Sequence, residues 1–166
     1  MKIKSLLLML LSAVCACTLL SCGNEKGQTE KTASGTGEQN QFEKKGTIKI
    51  GVVGAHSGEF ASYGLPSVNA AKLVIMEWNR NGGVLGKEIE LVVEDDGCDP
   101  KVAPNVAMIM FDKQVAGVIG HTCSGATEAA LTTYLEAEIP LVSPSATTCG
   151  LTYSGDYPNF FRTISP

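Results

Sequence analysis

The sequence predicts an α/β domain built on a doubly wound, mostly parallel sheet with the flavodoxin-like strand order 2-1-3-4-5. Three observations carry that prediction. Short β-branched runs alternate with stretches of helical period between residues 46 and 166. The first run, at residues 47–53, becomes continuously apolar, as a strand covered on both faces must be. Hydroxyls and small residues cluster just after the strands, where an open α/β sheet gathers its ligand loops.

Each element has a local reason. Thr47-Ile48-Lys49-Ile50-Gly51-Val52-Val53 alternates and then turns apolar, and Gly54-Ala55-His56-Ser57-Gly58 breaks it into a loop. From about residue 66 to 80, Val68, Ala71, Ile75 and Trp78 fall on one helical face, with Pro66 in the first turn and Trp78 as core. Gly82-Gly83 stops that helix with residues that accept left-handed geometry. Ile89, Leu91 and Val93 alternate through a second strand at residues 88–94. Asp99 is the expected N-cap, and Pro100 the first position, of a helix reaching about Gln114. A third strand is expected at residues 115–120, a helix capped by Ser124 and ending near Glu136, a fourth strand at 139–143 and a fifth at 160–164.

Residues 1–45 have another character. Lys2 and Lys4 precede the apolar run Leu6-Leu7-Leu8-Met9-Leu10-Leu11, a pattern too short and wrongly flanked for a spanning helix but suited to a secretory signal over residues 1–21. Leu19-Leu20-Ser21-Cys22 resembles a bacterial lipobox, which implies diacylglycerol on the sulfur of Cys22. Residues 22–45 are polar, with Ala33 and Phe42 as the apolar exceptions after Cys22, and cannot bury enough surface to offset their ordering entropy. As a flexible tether that stretch would reach on the order of 25–30 Å. The domain proper is therefore expected at residues 46–166, exported and held at a membrane surface in the periplasm or at the cell surface.

Composition excludes some partners and motifs exclude some chemistry. With 13 Lys+Arg against 17 Asp+Glu, the chain lacks the basic surface that neutralises nucleic-acid phosphates. Its two histidines, His56 and His121, form no metal-ligand spacing, and no metal site is expected. The residues around Ser124 do not make a G-x-S-x-G elbow, and neither a P-loop nor G-x-G-x-x-G is present, so no enzyme and no cofactor are expected. Asp95-Asp96 reads as a solvated or capping pair rather than a catalytic one.

What the sheet edge does gather is hydrogen-bonding groups. Three segments meet there: residues 55–58 with Tyr63, residues 123–127, and residues 143–148. The second opens a helix, whose free N–H groups and positive dipole end favour an anion such as a carboxylate. Turn and cap chemistry explains each segment singly; the three together point to a small polar ligand.

The cysteines fit an exported domain. Cys98 and Cys123 follow the second and third strands on one sheet edge, and a bridge between them would close a loop of about two dozen residues worth roughly 3–4 kcal/mol. Cys149 would then stand alone, and no C-x-x-C redox motif is present.

Read together, Gly51-Val52-Val53-Gly54-Ala55-His56-Ser57-Gly58, Tyr63-Gly64, Asn81-Gly82-Gly83, Asp95-Asp96-Gly97-Cys98-Asp99-Pro100, Gly120-His121-Thr122-Cys123-Ser124 and Ser143-Pro144-Ser145-Ala146-Thr147 resemble the branched-chain amino-acid binding proteins of ABC importers. The resemblance is looser to relatives that bind amides, urea or other small metabolites, and a sensory ligand-binding domain is a further alternative. It implies a type I periplasmic-binding-protein lobe, one of two that close about a hinge over the ligand, and permease subunits as partners. Pro166 falls about where that family continues toward the hinge, so an incomplete N-terminal lobe is expected. Carried over by residue, the resemblance implies a ligand set of Tyr63, Ser124, Ser145, Ala146 and Thr147. The Ser124 hydroxyl and N–H with the Thr147 N–H would hold an α-carboxylate. The Ser145 carbonyl and Thr147 hydroxyl would accept from the α-ammonium, and Tyr63 would line the side-chain pocket. Cys98 and Cys123 match that family's disulfide.

Overall fold

β1, Thr47–Gly54, owes its central place to its last residues: Val52 and Val53 point to opposite faces and both are buried. The computed structural model describes residues 46–166. The expected signal, the lipobox Cys22 and the tether lie outside the described residues. β2 (Glu88–Asp95) and β3 (Gly117–Ile119) flank β1, and β4 (Leu141–Ser143) and β5 (Phe160–Arg162) continue the sheet beyond β3. All pairings are parallel and the order is 2-1-3-4-5, as the alternation of strands and helices predicts.

Two helical layers cover this sheet. α2 (Ala103–Asp112) and α3 (Ser124–Glu136) lie on the larger core, where Val53, Val92, Val118 and Leu141 meet Met110, Leu131 and Tyr134. On the opposite face α1 (Ala61–Arg80) packs Val68 and Ala71 against Val52, Leu91 and Ile119. Each such aliphatic side chain taken from water contributes on the order of 1.5–3 kcal/mol. β2 serves both layers, which is why Val92 is better buried than the expected Val93.

Several boundaries move for identifiable reasons. α1 starts at Ala61, five residues ahead of the expected Pro66, so Pro66 sits inside the helix rather than in its first turn. Gly64 permits that early start: a Cβ there would lie 2.0 Å from the carbonyl oxygen of Ala55, so only glycine lets α1 begin against the loop after β1. Asp99 opens a turn rather than α2 itself; its carboxylate accepts from the Lys101 N–H at 2.8 Å and its carbonyl from those of Val102 and Ala103. α3 starts with Ser124 already inside and Cys123 in the cap position, so Ser124 is not the cap. A short helix, α4 (Gly150–Tyr153), stands between β4 and β5 where none is expected.

Trp78 is not core. It is 51% exposed, because α1 carries apolar residues around more of its circumference than β1 and β2 can cover. With Val74, Ile75, Ile119 and Pro144 it lines an apolar groove of about 390 Å³ beside α1. Among the described residues, no helix is long and apolar enough to cross a membrane.

Candidate functional site

Parallel pairing puts the carboxyl ends of all five strands, and the loops that follow them, on one edge. At the centre of that edge stands Ser124, the first residue of α3. Its Oγ accepts from the Thr147 N–H at 3.1 Å and from the Thr148 N–H at 3.2 Å, so the start of α3 and the loop after β4 are joined side chain to backbone. A hydroxyl that accepts twice keeps its own proton to give. The first N–H groups of α3 have no carbonyl a turn earlier to bond and carry the positive end of the helix dipole. The edge therefore offers an oxygen anion donors from a hydroxyl and from the backbone of α3.

The loop after β4 is fixed from both sides. The Ser143 hydroxyl donates to the His121 carbonyl at 2.7 Å and accepts from the N–H groups of Ala146 at 3.0 Å and Ser145 at 3.3 Å. Arg162, which β5 sets in register with Ser143, donates to the Thr148 carbonyl at 3.0 Å and the Ala146 carbonyl at 3.4 Å. The same guanidinium meets the Thr152 hydroxyl and lies 5.9 Å from the ring centre of Tyr153. Ala146 is fully buried with both main-chain groups engaged, so it supports the loop while Thr147 stands exposed and Ser145 half-buried.

Tyr63 projects from the first turn of α1 with 67% of its surface open, and no hydrogen bond among the described residues joins it to Ser124 or Thr147. Hydrogen bonds thus join Ser124 to Thr147, and Ser145 and Ala146 to Ser143 beside them, while Tyr63 stands exposed without a bond to Ser124 or Thr147 among the described residues.

Behind the cradle lies a cluster that sequence reasoning missed. Asp96, expected to be solvated or capping, is 1% exposed, because the turn after β2 folds it inward. Its Oδ1 accepts from the Cys98 N–H at 2.8 Å and its Oδ2 pairs with Nδ1 of His121. Nε2 of His121 is 3.1 Å from the Tyr134 hydroxyl, and all three side chains are buried. Burial, helped by the nearby Asp96 charge, pushes the Tyr134 phenol well above its ordinary range, so it stays protonated. Asp95 does behave as a capping group, accepting from the N–H groups of His56 at 2.8 Å and Gly97 at 2.9 Å. Desolvation alone would raise its carboxyl, but bonds from Ser57, His56 and Gly97 hold it below the ordinary value.

Cys98 and Cys123 form a disulfide with a Cα–Cα distance of 5.4 Å, bending the loops after β2 and β3 over the end of β1. Gly120 makes that bend possible, since a Cβ there would lie 2.0 Å from the carbonyl oxygen of Val53. Cys149 is a free, exposed thiol. The described residues hold no cluster of three or more His, Cys, Asp or Glu side chains suited to a metal ion.

Comparison with known proteins matches this architecture. A family model described as periplasmic binding protein matches residues 47–166. The leucine-, isoleucine-, valine-, threonine- and alanine-binding protein of Pseudomonas aeruginosa is 40% identical over 118 residues, which is 71% of this chain and 31% of that protein. A branched-chain amino acid transporter substrate-binding protein from Streptococcus pneumoniae, solved with isoleucine, superposes with a TM-score of 0.67 at 39% identity, covering 72% of this chain and 34% of that one. A solute-binding protein of an ABC transporter from Rhodopseudomonas palustris, solved with 3,4-dihydroxybenzoic acid, gives 0.64 at 28% identity, covering 72% and 32%. The chain thus spans about a third of the length of the relatives it matches.

Proposed function

The chain belongs to the periplasmic binding protein family, and from that premise we propose that it is the first lobe of an exported receptor delivering a branched-chain or related aliphatic amino acid to an ABC importer. The observation that carries this reading is the bridge from Ser124 to the Thr147 and Thr148 amides, which builds a neutral, donor-rich cradle at the sheet edge. A zwitterion taken from water without counter-ions needs fixed hydrogen-bond partners around both of its charges. The Ser124 hydroxyl and N–H serve the carboxylate, and the Thr147 N–H, which donates to Ser124 Oγ in the free lobe, is shared with it when the ligand enters. The Ser145 carbonyl and the Thr147 hydroxyl serve the ammonium, Ala146 backs the loop, and Tyr63 lines the side-chain pocket once a second lobe closes over it. Closure about a hinge is the state that permease subunits read, and no bond of the ligand is made or broken. Cys22, lipidated after removal of residues 1–21, anchors the receptor, with residues 23–45 as its tether.

The carboxylate is common to the isoleucine and dihydroxybenzoate of the two structural neighbours, whereas the ammonium is not. Competition among leucine, isoleucine, valine, acetamide and benzoate therefore tests the ammonium contacts separately from the cradle. Calorimetry with leucine tests the cradle itself. Ser124→Ala should weaken binding by about 1.5–3 kcal/mol, a charged hydrogen bond's worth. An isotherm identical to that of the parent protein would sink the assignment.

A further inference from the structure

The turn after β2, the body of α3 and the loop after β4 meet at one buried residue. The His121 ring joins the turn after β2, through Asp96, to the body of α3, through Tyr134. Its main-chain carbonyl receives the Ser143 hydroxyl at 2.7 Å and faces that of Thr127 at 3.5 Å. Ser143 in turn sets the Ser145 and Ala146 amides, one residue from the Thr147 N–H that meets Ser124. We propose that His121, locked between Asp96 and Tyr134, is the positioning residue of the ligand site, fixing the loop after β4 relative to the start of α3. The inference rests on the reading of Ser124 and Thr147 as the carboxylate cradle, and it adds the group that keeps the two halves of the cradle in register.

The proton arrangement supports the role. Nδ1 of His121 faces the Asp96 carboxyl and Nε2 faces the Tyr134 hydroxyl, so a ring proton on Nδ1 gives every one of these groups a partner, with the hydroxyl donating to Nε2. Neither ring nitrogen is left over, and the imidazole cannot rotate without stranding a buried carboxylate and a buried phenol at once. Restricting the ring restricts the peptide that carries the His121 carbonyl. The ring contacts and the Ser143 hydroxyl meet through the backbone of this one residue, whose carbonyl accepts from Ser143.

Two measurements on the full-length chain test this. The chain has two histidines, so ¹⁵N-histidine labelling with His56→Gln assigns the His121 ring N–H resonance, which burial shields from exchange with water. Saturating leucine should shift that resonance, although His121 is not a ligand contact. Tyr134→Phe, which removes one hydroxyl and keeps the shape, should weaken leucine binding about fivefold, one hydrogen bond's worth. A resonance unmoved by saturating leucine overturns the proposal, whether or not the variant folds. So does a folded Tyr134→Phe that binds leucine as the parent does. If Ser124→Ala still weakens binding in either case, the cradle stands and the positioning role alone falls.

Discussion

Asp96 and His121 pair in the interior at the positions two residues before Cys98 and Cys123, so one disulfide and one buried side-chain hydrogen bond tie the same two loops. The bridge confines the chain ends near each other, and the pair fixes how they face. Between them the turn is tight enough that Cys98, a non-glycine residue, is held at a φ of 61°. The Asp96 carboxylate accepting the Cys98 N–H offsets part of that cost.

Loss of the covalent tie should therefore cost stability in the amount a closed loop predicts. The cysteines are 25 residues apart. Cys98→Ser with Cys123→Ser should lower the unfolding free energy by about 3.5 kcal/mol on the chain-entropy model. Urea denaturation of the double variant measures it, and an oxidised parent no more stable than the variant would show that Asp96–His121 holds the loops unaided.

His56 gives stability a pH dependence in the neutral range. Desolvation lowers its pKa below the ordinary 6.5, against the opposing pull of Asp95 and Asp96. The unfolded chain then binds the proton more readily than the folded one, so stability is full above pH 6.5 and falls as the pH drops toward the folded value. His56→Gln should flatten that part of the profile, read as thermal midpoints between pH 7.5 and about 5. A profile of unchanged slope would show that another group carries it.

Gly64 should tolerate no side chain. Gly64→Ala places a Cβ against the backbone of Ala55, which cannot move aside as a flexible side chain would. The expected loss is about 1–3 kcal/mol, the usual cost of overpacking, even though alanine is the better helix former. Ser62→Ala, two residues earlier and exposed, is the control and should stay within about 0.5 kcal/mol of the parent in the same denaturation experiment.

Much of the fold was legible because periodicity is local. Val52-Val53 at the end of β1, the alternation around Ile89 and the helical spacing of Val68 and Ala71 all follow from which residues must leave water together. Trp78 was not legible in the same way: its spacing says helix face, but whether anything covers that face depends on neighbours far along the chain. Helix starts were misplaced where glycine geometry decided them, as at Gly64.

The candidate site divides along the same line. Hydroxyls at 124, 145 and 147 near strand ends could be gathered at one edge from topology alone. Asp96 and His121 gave a fainter signal, the shared spacing to Cys98 and Cys123, which gains meaning only once those cysteines are bridged. Arg162 and Tyr134 gave none, since a lone arginine on a strand and a tyrosine in a helix have many ordinary uses.

By itself the sequence determined the alternation of strands and helices, the parallel sheet and the edge at which its polar loops collect, because burial patterns within a dozen residues fix all three. The tertiary structure alone decided that the Ser124 hydroxyl turns away from a cap to meet Thr147, and that Asp96 leaves water to meet His121. Those choices compare partners across 23 and 25 residues of chain. A polar group selects its partner by which one folding leaves within reach when water is gone.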